Sequence, residues 1–192
     1  MVSNPVQHHW TVEEYLAYEQ ETDTRYEYID GEIFAMSGGT ENHSLITANA
    51  LTEVSYQLRG SSCRAYTSDL RAKISDTKYV YPDFSVVCGD AEFADDNHTM
   101  LTNPVLVVEV TSPSSMSYDK IIKRDFYLTL PSLQGYLILD QHRIFAELYT
   151  RNETDWSIRQ YTDIDDRVPL DILNCTLPLK EVYRGIVFES AE

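Results

Sequence analysis

The hydrophobic period changes several times along the chain, and each change marks an element. Thr11-Val-Glu-Glu14 has the form of a capping box and opens a short helix carrying Tyr15 and Leu16. Tyr26 to Ile33 reads as two short strands about a tight turn at Asp30-Gly31. Ser37-Gly38-Gly39 then breaks the chain. From Glu41 to Leu58, residues such as Ile46, Ala50, Val54 and Leu58 recur at helical spacing and predict a long helix. Beyond it the period falls to two over Arg64–Thr67 and Leu70–Ile74. Asp83–Cys88 and Val105–Val110 are apolar on both faces, which predicts central strands covered on each side. A helix is expected over Asp119–Leu128, with strands over Gly135–Asp140, Ile144–Tyr149 and Trp156–Tyr161. The polar stretch Asp90–Asn97 reads as a surface loop. No linker or repeat interrupts the pattern, so a single mixed α/β domain over residues 1–192 is expected.

Composition narrows the class. With 43% hydrophobic and 24% charged residues the chain can build an ordinary core. No stretch approaches the ~20 apolar residues needed to cross a bilayer. Residues 1–10 are polar and lack the apolar centre of a signal peptide, so a cytoplasmic location and no membrane partner are expected. Cys63, Cys88 and Cys175 are odd in number and form no CxxC pair. They read as small buried hydrophobes and suggest neither a disulfide framework nor a zinc site. The formal net charge of −16, from 15 basic and 31 acidic residues, weighs against a protein that coats nucleic acid by neutralising phosphates. The charge is uneven: residues 13–32 hold eight acids against Arg25, whereas residues 59–78 hold five bases against Asp69 and Asp76.

Against that background a few polar residues stand out. Glu109 lies inside Val105-Leu-Val-Val-Glu-Val110, on the face shared by Val105, Val107 and Thr111. A carboxylate there loses hydration at a cost of several kcal/mol unless it is paired or bound to a metal. The plainer alternative is a strand end pointing into solvent. Asp83 follows Pro82 at the start of a second apolar strand, which alone is an ordinary strand-entry turn. Two embedded carboxylates on neighbouring strand ends, however, form a hard, oxygen-rich site suited to Mg²⁺ or Mn²⁺. Hydrolysis of a phosphodiester also needs positive charge near the developing pentavalent phosphate. Lys123, one helical turn after Asp119, can supply it; the alternative is an exposed i,i+4 pair.

Pro82-Asp83, Glu109 and the lysine together resemble the PD-(D/E)XK nuclease superfamily. The usual pattern has lysine two residues after the second acid, a position held here by Thr111. One branch departs in this way, the Uma-two family of restriction-endonuclease-like proteins. The resemblance covers nearly the whole chain. It runs through Tyr26-Glu-Tyr-Ile-Asp-Gly-Glu32, Thr67-Ser-Asp-Leu-Arg-Ala-Lys-Ile74, Tyr81-Pro-Asp-Phe-Ser-Val-Val-Cys88, Asn103–Ser114, Asp119-Lys-Ile-Ile-Lys123 and Pro131–Tyr136. It implies a restriction-endonuclease-like core, a mixed central β-sheet flanked by helices, here with an N-terminal helix and hairpin.

The implied activity is that of an Mg²⁺- or Mn²⁺-dependent endonuclease hydrolysing DNA by a metal-activated water. Asp83, Glu109 and the Val110 carbonyl would be metal ligands, Lys123 would stabilise transition-state charge, and Glu27 would complete the outer shell. Lys123 rather than Lys120 is expected at the site, with Lys120 solvated. His43, at the start of the long helix, could approach the site or cap and pack, and packing is the expected role; Gln141 has no evident role. The net-positive stretch Arg59–Lys78, with Arg71 and Lys73 in it, is expected to supply part of the DNA-facing surface, and a homodimer is the expected assembly. The acidic surface leaves a competing class open: a non-catalytic interaction module built on a nuclease fold. Hydrolysis of some other phosphoester is a third.

Overall fold

The computed structural model describes residues 8–36, 38–111 and 119–188, with backbone alone for 119–122. The chain runs α1 (Val12–Glu21), β1 (Tyr26–Ile29), β2 (Glu32–Ala35), α2 (Glu41–Gln57), β3 (Cys63–Thr67), β4 (Arg71–Ser75), β5 (Lys78–Val80), β6 (Phe84–Cys88) and β7 (Met100–Leu101). It continues through β8 (Leu106–Thr111), α3 (Asp119–Leu128), β9 (Gly135–Asp140), β10 (Ala146–Arg151), β11 (Trp156–Tyr161), β12 (Arg167–Leu170), β13 (Cys175–Pro178) and α4 (Leu179–Val182). The strands form a six-stranded sheet ordered β11-β10-β9-β8-β6-β3, a five-stranded sheet ordered β2-β1-β5-β4-β7, and the pair β12-β13.

Local chemistry explains the N-terminal elements. Thr11 Oγ1 accepts from the Glu14 N–H at 3.2 Å, and Glu14 Oε2 accepts from the Thr11 N–H at 2.8 Å, closing the capping box. The β1–β2 turn needs two successive residues at positive φ, supplied by Asp30 (49°) and Gly31 (93°). This hairpin is no appendage: β1 pairs with β5 and so joins the five-stranded sheet.

The six-stranded sheet is covered on both faces, as its doubly apolar strands require. On one face Leu106, Val108 and Val110 pack with Ile46, Ala50 and Val54 of α2 and with Val182 of α4. On the other, Val107 and Ile138 pack with Tyr127 of α3 and with Ala72 and Val80 of the second sheet. Among the described residues no helix is long and apolar enough to cross a membrane.

Two expectations need correcting. The strand expected from Ile144 starts at Ala146, because Asp140 turns the chain: its N–H donates to the Phe145 carbonyl and its carboxylate accepts from His142 N–H and Arg143 Nε. Ile144 instead packs against the core from the turn. Cys63 and Cys88 are not independent small hydrophobes. The antiparallel β3–β6 register places them directly opposite one another, and they are joined in a disulfide. Cys175 is buried and free, as expected.

Candidate active site

The antiparallel pairing of β6 with β8 sets Phe84 opposite Val108. Asp83, one residue before Phe84, is thereby level with Glu109, one residue after Val108. Asp83 Oδ2 accepts the Val110 N–H at 2.6 Å, which fixes that carboxylate at the strand end. Glu109 projects from the Val107 face, towards α3 and the second sheet. Lys123 and Tyr127, one turn apart on α3, both reach it. The Tyr127 hydroxyl donates to Glu109 Oε1 at 3.0 Å, and Lys123 Nζ lies 4.0 Å from the same oxygen. The lysine is also anchored from the second sheet: its Nζ is 2.6 Å from Glu27 Oε1 of β1. Glu27 is held in turn by the Tyr81 N–H, which donates to it at 3.1 Å.

Asp83, Glu109, Lys123, Glu27 and Tyr81 line one cleft of about 1090 Å³, with Arg25, His43 and Gln141 on its walls. Glu109 is 8% exposed, and burial pushes its carboxyl up to about 8. Lys123 opposes that shift, Asp83 and Glu27 add to it, and the Tyr127 bond opposes it.

His43 sits in the cleft, a placement the sequence left open while favouring packing. Its Nε2 lies 3.2 Å from Asp83 Oδ1, and this hydrogen bond holds the imidazole above its ordinary value while burial pulls the other way. Gly39 makes room for the ring: a Cβ there would lie 2.7 Å from His43 Nδ1. Gln141, left without a role by the sequence, proves to be a brace. Its N–H donates to the Thr111 carbonyl at 3.1 Å, its carbonyl accepts from Asn42 Nδ2 at 3.3 Å, and its Oε1 accepts from the Thr40 hydroxyl. The Gly-Gly-Thr run ahead of α2 was the available signal for both.

Thr111 is buried, with its hydroxyl directed to the Leu139 carbonyl at 3.4 Å. The side chains of Asp119 and Lys120 lie outside the described residues. Within the basic stretch, Arg71 requires a correction. Arg71 is 7% exposed, paired with Glu19, and donates from Nε to the Tyr81 hydroxyl at 3.1 Å. It is an interior residue with no surface to offer DNA. Lys73 is paired with Asp76 at 2.8 Å. Counting bases along the chain registers charge but not burial.

Among the described residues no three His, Cys, Asp or Glu side chains converge closely enough to hold a metal unaided. The arrangement fits instead the sparse mode in which Mg²⁺ is held by one or two carboxylates, with water and substrate phosphate completing the shell. Asp83 Oδ1 faces the cleft side occupied by His43, and among the described residues the polar contacts of Glu109 fall on Oε1.

Comparison with known proteins agrees with this architecture. A crystal structure of a "putative nuclease belonging to DUF820" from Anabaena variabilis aligns with a TM-score of 0.75 at 21% identity, covering 93% of this chain and 99% of that one. The fold is thus restriction-endonuclease-like. Two Synechocystis proteins are similar in sequence. The protein slr1290 is 37% identical over 92% of both chains, and sll1609 is 33% identical over 78% of this chain and 86% of its own. Residues 12–180 match the Uma2 family, described as "Putative restriction endonuclease", and the chain belongs to that family.

Proposed function

We propose that this protein is a divalent-metal-dependent endodeoxyribonuclease whose active site is the cleft at the ends of β6 and β8. The observation that supports this most directly is the meeting of Asp83, Glu109, Lys123 and Glu27, delivered by separate elements to one cleft wall. A buried acidic pair beside a buried lysine is costly to maintain and useful for phosphoryl chemistry.

Asp83, Glu109 and the Val110 carbonyl are the groups that would hold Mg²⁺ or Mn²⁺. A bound ion supplies Lewis acidity towards the phosphate and lowers the pKa of the attacking water. Lys123 brings donors to the charge that develops on the phosphate oxygens. Glu27 fixes the direction of that ammonium and Tyr127 fixes Glu109, so neither has to reorganise during reaction.

Supercoiled plasmid with added Mg²⁺ or Mn²⁺ tests the reading. The wild type should nick or linearise it, EDTA should stop the reaction, and Asp83→Asn should bind DNA without cutting. A wild type that cuts nothing with either ion would favour the non-catalytic acidic module.

A further inference from the structure

We infer that His43 is a direct nitrogen ligand to the divalent cation, with Nε2 and Asp83 Oδ1 binding the same ion. The inference rests on the cleft being the cation site proposed above, and it adds a residue and a metal preference to that site.

The argument begins with spacing. Two ligands each about 2.0–2.2 Å from one ion and at right angles to each other stand about 3 Å apart. His43 Nε2 and Asp83 Oδ1 are 3.2 Å apart. The pair is therefore already spaced as adjacent corners of an octahedron, and an ion can replace the shared proton with little movement. Both side chains keep an opening to the cleft, at 25% and 15% exposure, so an ion can reach them.

The helix turn that carries the imidazole is also held in place through its backbone. The Thr40 hydroxyl accepts from the His43 N–H at 3.2 Å and donates to Gln141 Oε1. Gln141 is bonded to the Thr111 carbonyl, two residues beyond Glu109 on the same strand. The first turn of α2 is thus tied to the strand end that carries Glu109. Gly39 supports the opposite edge of the ring, at a distance only glycine permits. These contacts fix the backbone from which the imidazole reaches the cleft and leave room for its ring. A histidine serving only to pack would need neither its edge open to the cleft nor its Nε2 on a strand-end carboxylate.

A nitrogen ligand changes which ion the site prefers. Oxygen donors alone suit Mg²⁺, whereas imidazole raises affinity for first-row transition ions. The site should therefore favour Mn²⁺ over Mg²⁺ by a margin that depends on His43.

Pulsed EPR of the Mn²⁺ adduct of the full-length protein reads this directly. Wild type should show ¹⁴N modulation that changes to the ¹⁵N pattern when histidines are ¹⁵N-labelled. His43→Gln should lose it, and His142→Gln, altered at the other cleft histidine, should retain it. Calorimetry should show His43→Gln lowering Mn²⁺ affinity by at least about tenfold, since even outer contacts to a ligand cost about that much. Its Mg²⁺ affinity should fall less. Tight Mn²⁺ binding by wild type without nitrogen coupling would overturn the inference while leaving a carboxylate site intact. Coupling that survives in His43→Gln would also overturn it. Wild type that binds no Mn²⁺ would remove the cation site and this ligand together.

Discussion

Two enclosed ion pairs join acids of the N-terminal segment to bases from later in the chain, and they serve different ends. The side chains of Arg71 and Glu19 are 9% and 10% exposed. Glu19 Oε1 accepts from the Tyr26 N–H and the Tyr81 hydroxyl, and the Arg71 guanidinium lies 5.3 Å from the Tyr15 ring centroid. Arg71 Nη1 is buried without a hydrogen-bond partner among the described residues. Lys123 and Glu27 are similarly enclosed, at 15% and 9%, but the lysine has a second carboxylate 4.0 Å away and lines a cleft. The first pair borders a smaller cleft, of about 320 Å³, and matches one acid with one base. The second has an acid in excess and solvent beside it, which is the condition for taking up a cation and a phosphate. What separates a structural pair from a chemical one here is what else the charges face.

The sharpest way to break this comparison is to remove each base in turn. Lys123→Met should lower the cleavage rate by roughly 10²–10³-fold, as for loss of one preorganised donor to transition-state charge. Its cost in stability should be the smaller of the two, because Glu109 can take a proton and the cleft admits water. Arg71→Met should do the reverse. It leaves Glu19 buried and unpaired, at about 3–5 kcal/mol of stability, while the folded fraction cuts DNA at close to the wild-type rate. Urea unfolding and plasmid cleavage on both variants decide the matter. An Arg71 variant that folds normally but is inactive would invert the assignment.

The same contrast explains what the sequence could reveal. Glu109 was conspicuous because an acid in a doubly apolar strand violates the pattern around it, and Asp83 because the next such strand carried another. Lys123 was legible only through helical spacing and family resemblance, since nothing in one dimension brings α3 against β1. Arg71 was misread for the converse reason: in an alternating strand beside other bases it looks like surface, and only Tyr15, Tyr81 and Glu19, all distant in sequence, enclose it. Cys63 and Cys88 meet through strand register, which 25 intervening residues conceal. Short strands such as β5 and β7 gave too few residues for a period to show. His43 could approach the site or pack on the sequence alone, and the choice could not be made there because its meaning lies in a neighbouring glycine and a strand-end carboxylate, not in the helix that carries it.

A medium-sized effect sharpens the comparison on its acid side. Burial raises Glu109 from the ordinary 4.5 to about 8, so the folded state holds a proton that the unfolded chain has released. The associated stability is complete below about pH 4.5 and is lost as pH rises through 8. Unfolding free energies in EDTA should therefore fall between pH 5 and pH 9, by on the order of a few kcal/mol. Glu109→Gln should flatten that fall, and saturating Mn²⁺ should flatten it in the wild type. An unchanged slope in Glu109→Gln would show that another group carries the pH dependence.

The smallest effect concerns a base that belongs to neither pair. Arg25 lines the cleft, and its guanidinium lies 5.8 Å from the ring centroid of Tyr81, whose hydroxyl and ring also contact Arg71. It bonds Asp69 at 2.9 Å and the Ser68 carbonyl at 2.7 Å, but the two side chains are 45% and 82% exposed. An exposed pair contributes at most about 1 kcal/mol, so Arg25→Ala should barely move the unfolding midpoint. Its position on the cleft wall gives it a different expected use, as a phosphate contact that Arg71 cannot provide from the interior. Losing one such contact should weaken DNA binding without changing sequence preference and reduce the salt slope of log K by about 1. Lys73→Glu, altered at a base held by Asp76 and outside the cleft lining, is the comparison variant and should leave that slope nearly as it was. Equal slopes for Arg25→Ala and wild type would mean that DNA enters from another side, whatever the chemistry at Lys123. A lower slope with unchanged stability would place Arg25 with the second pair rather than the first, by what it faces and not by where it falls in the sequence.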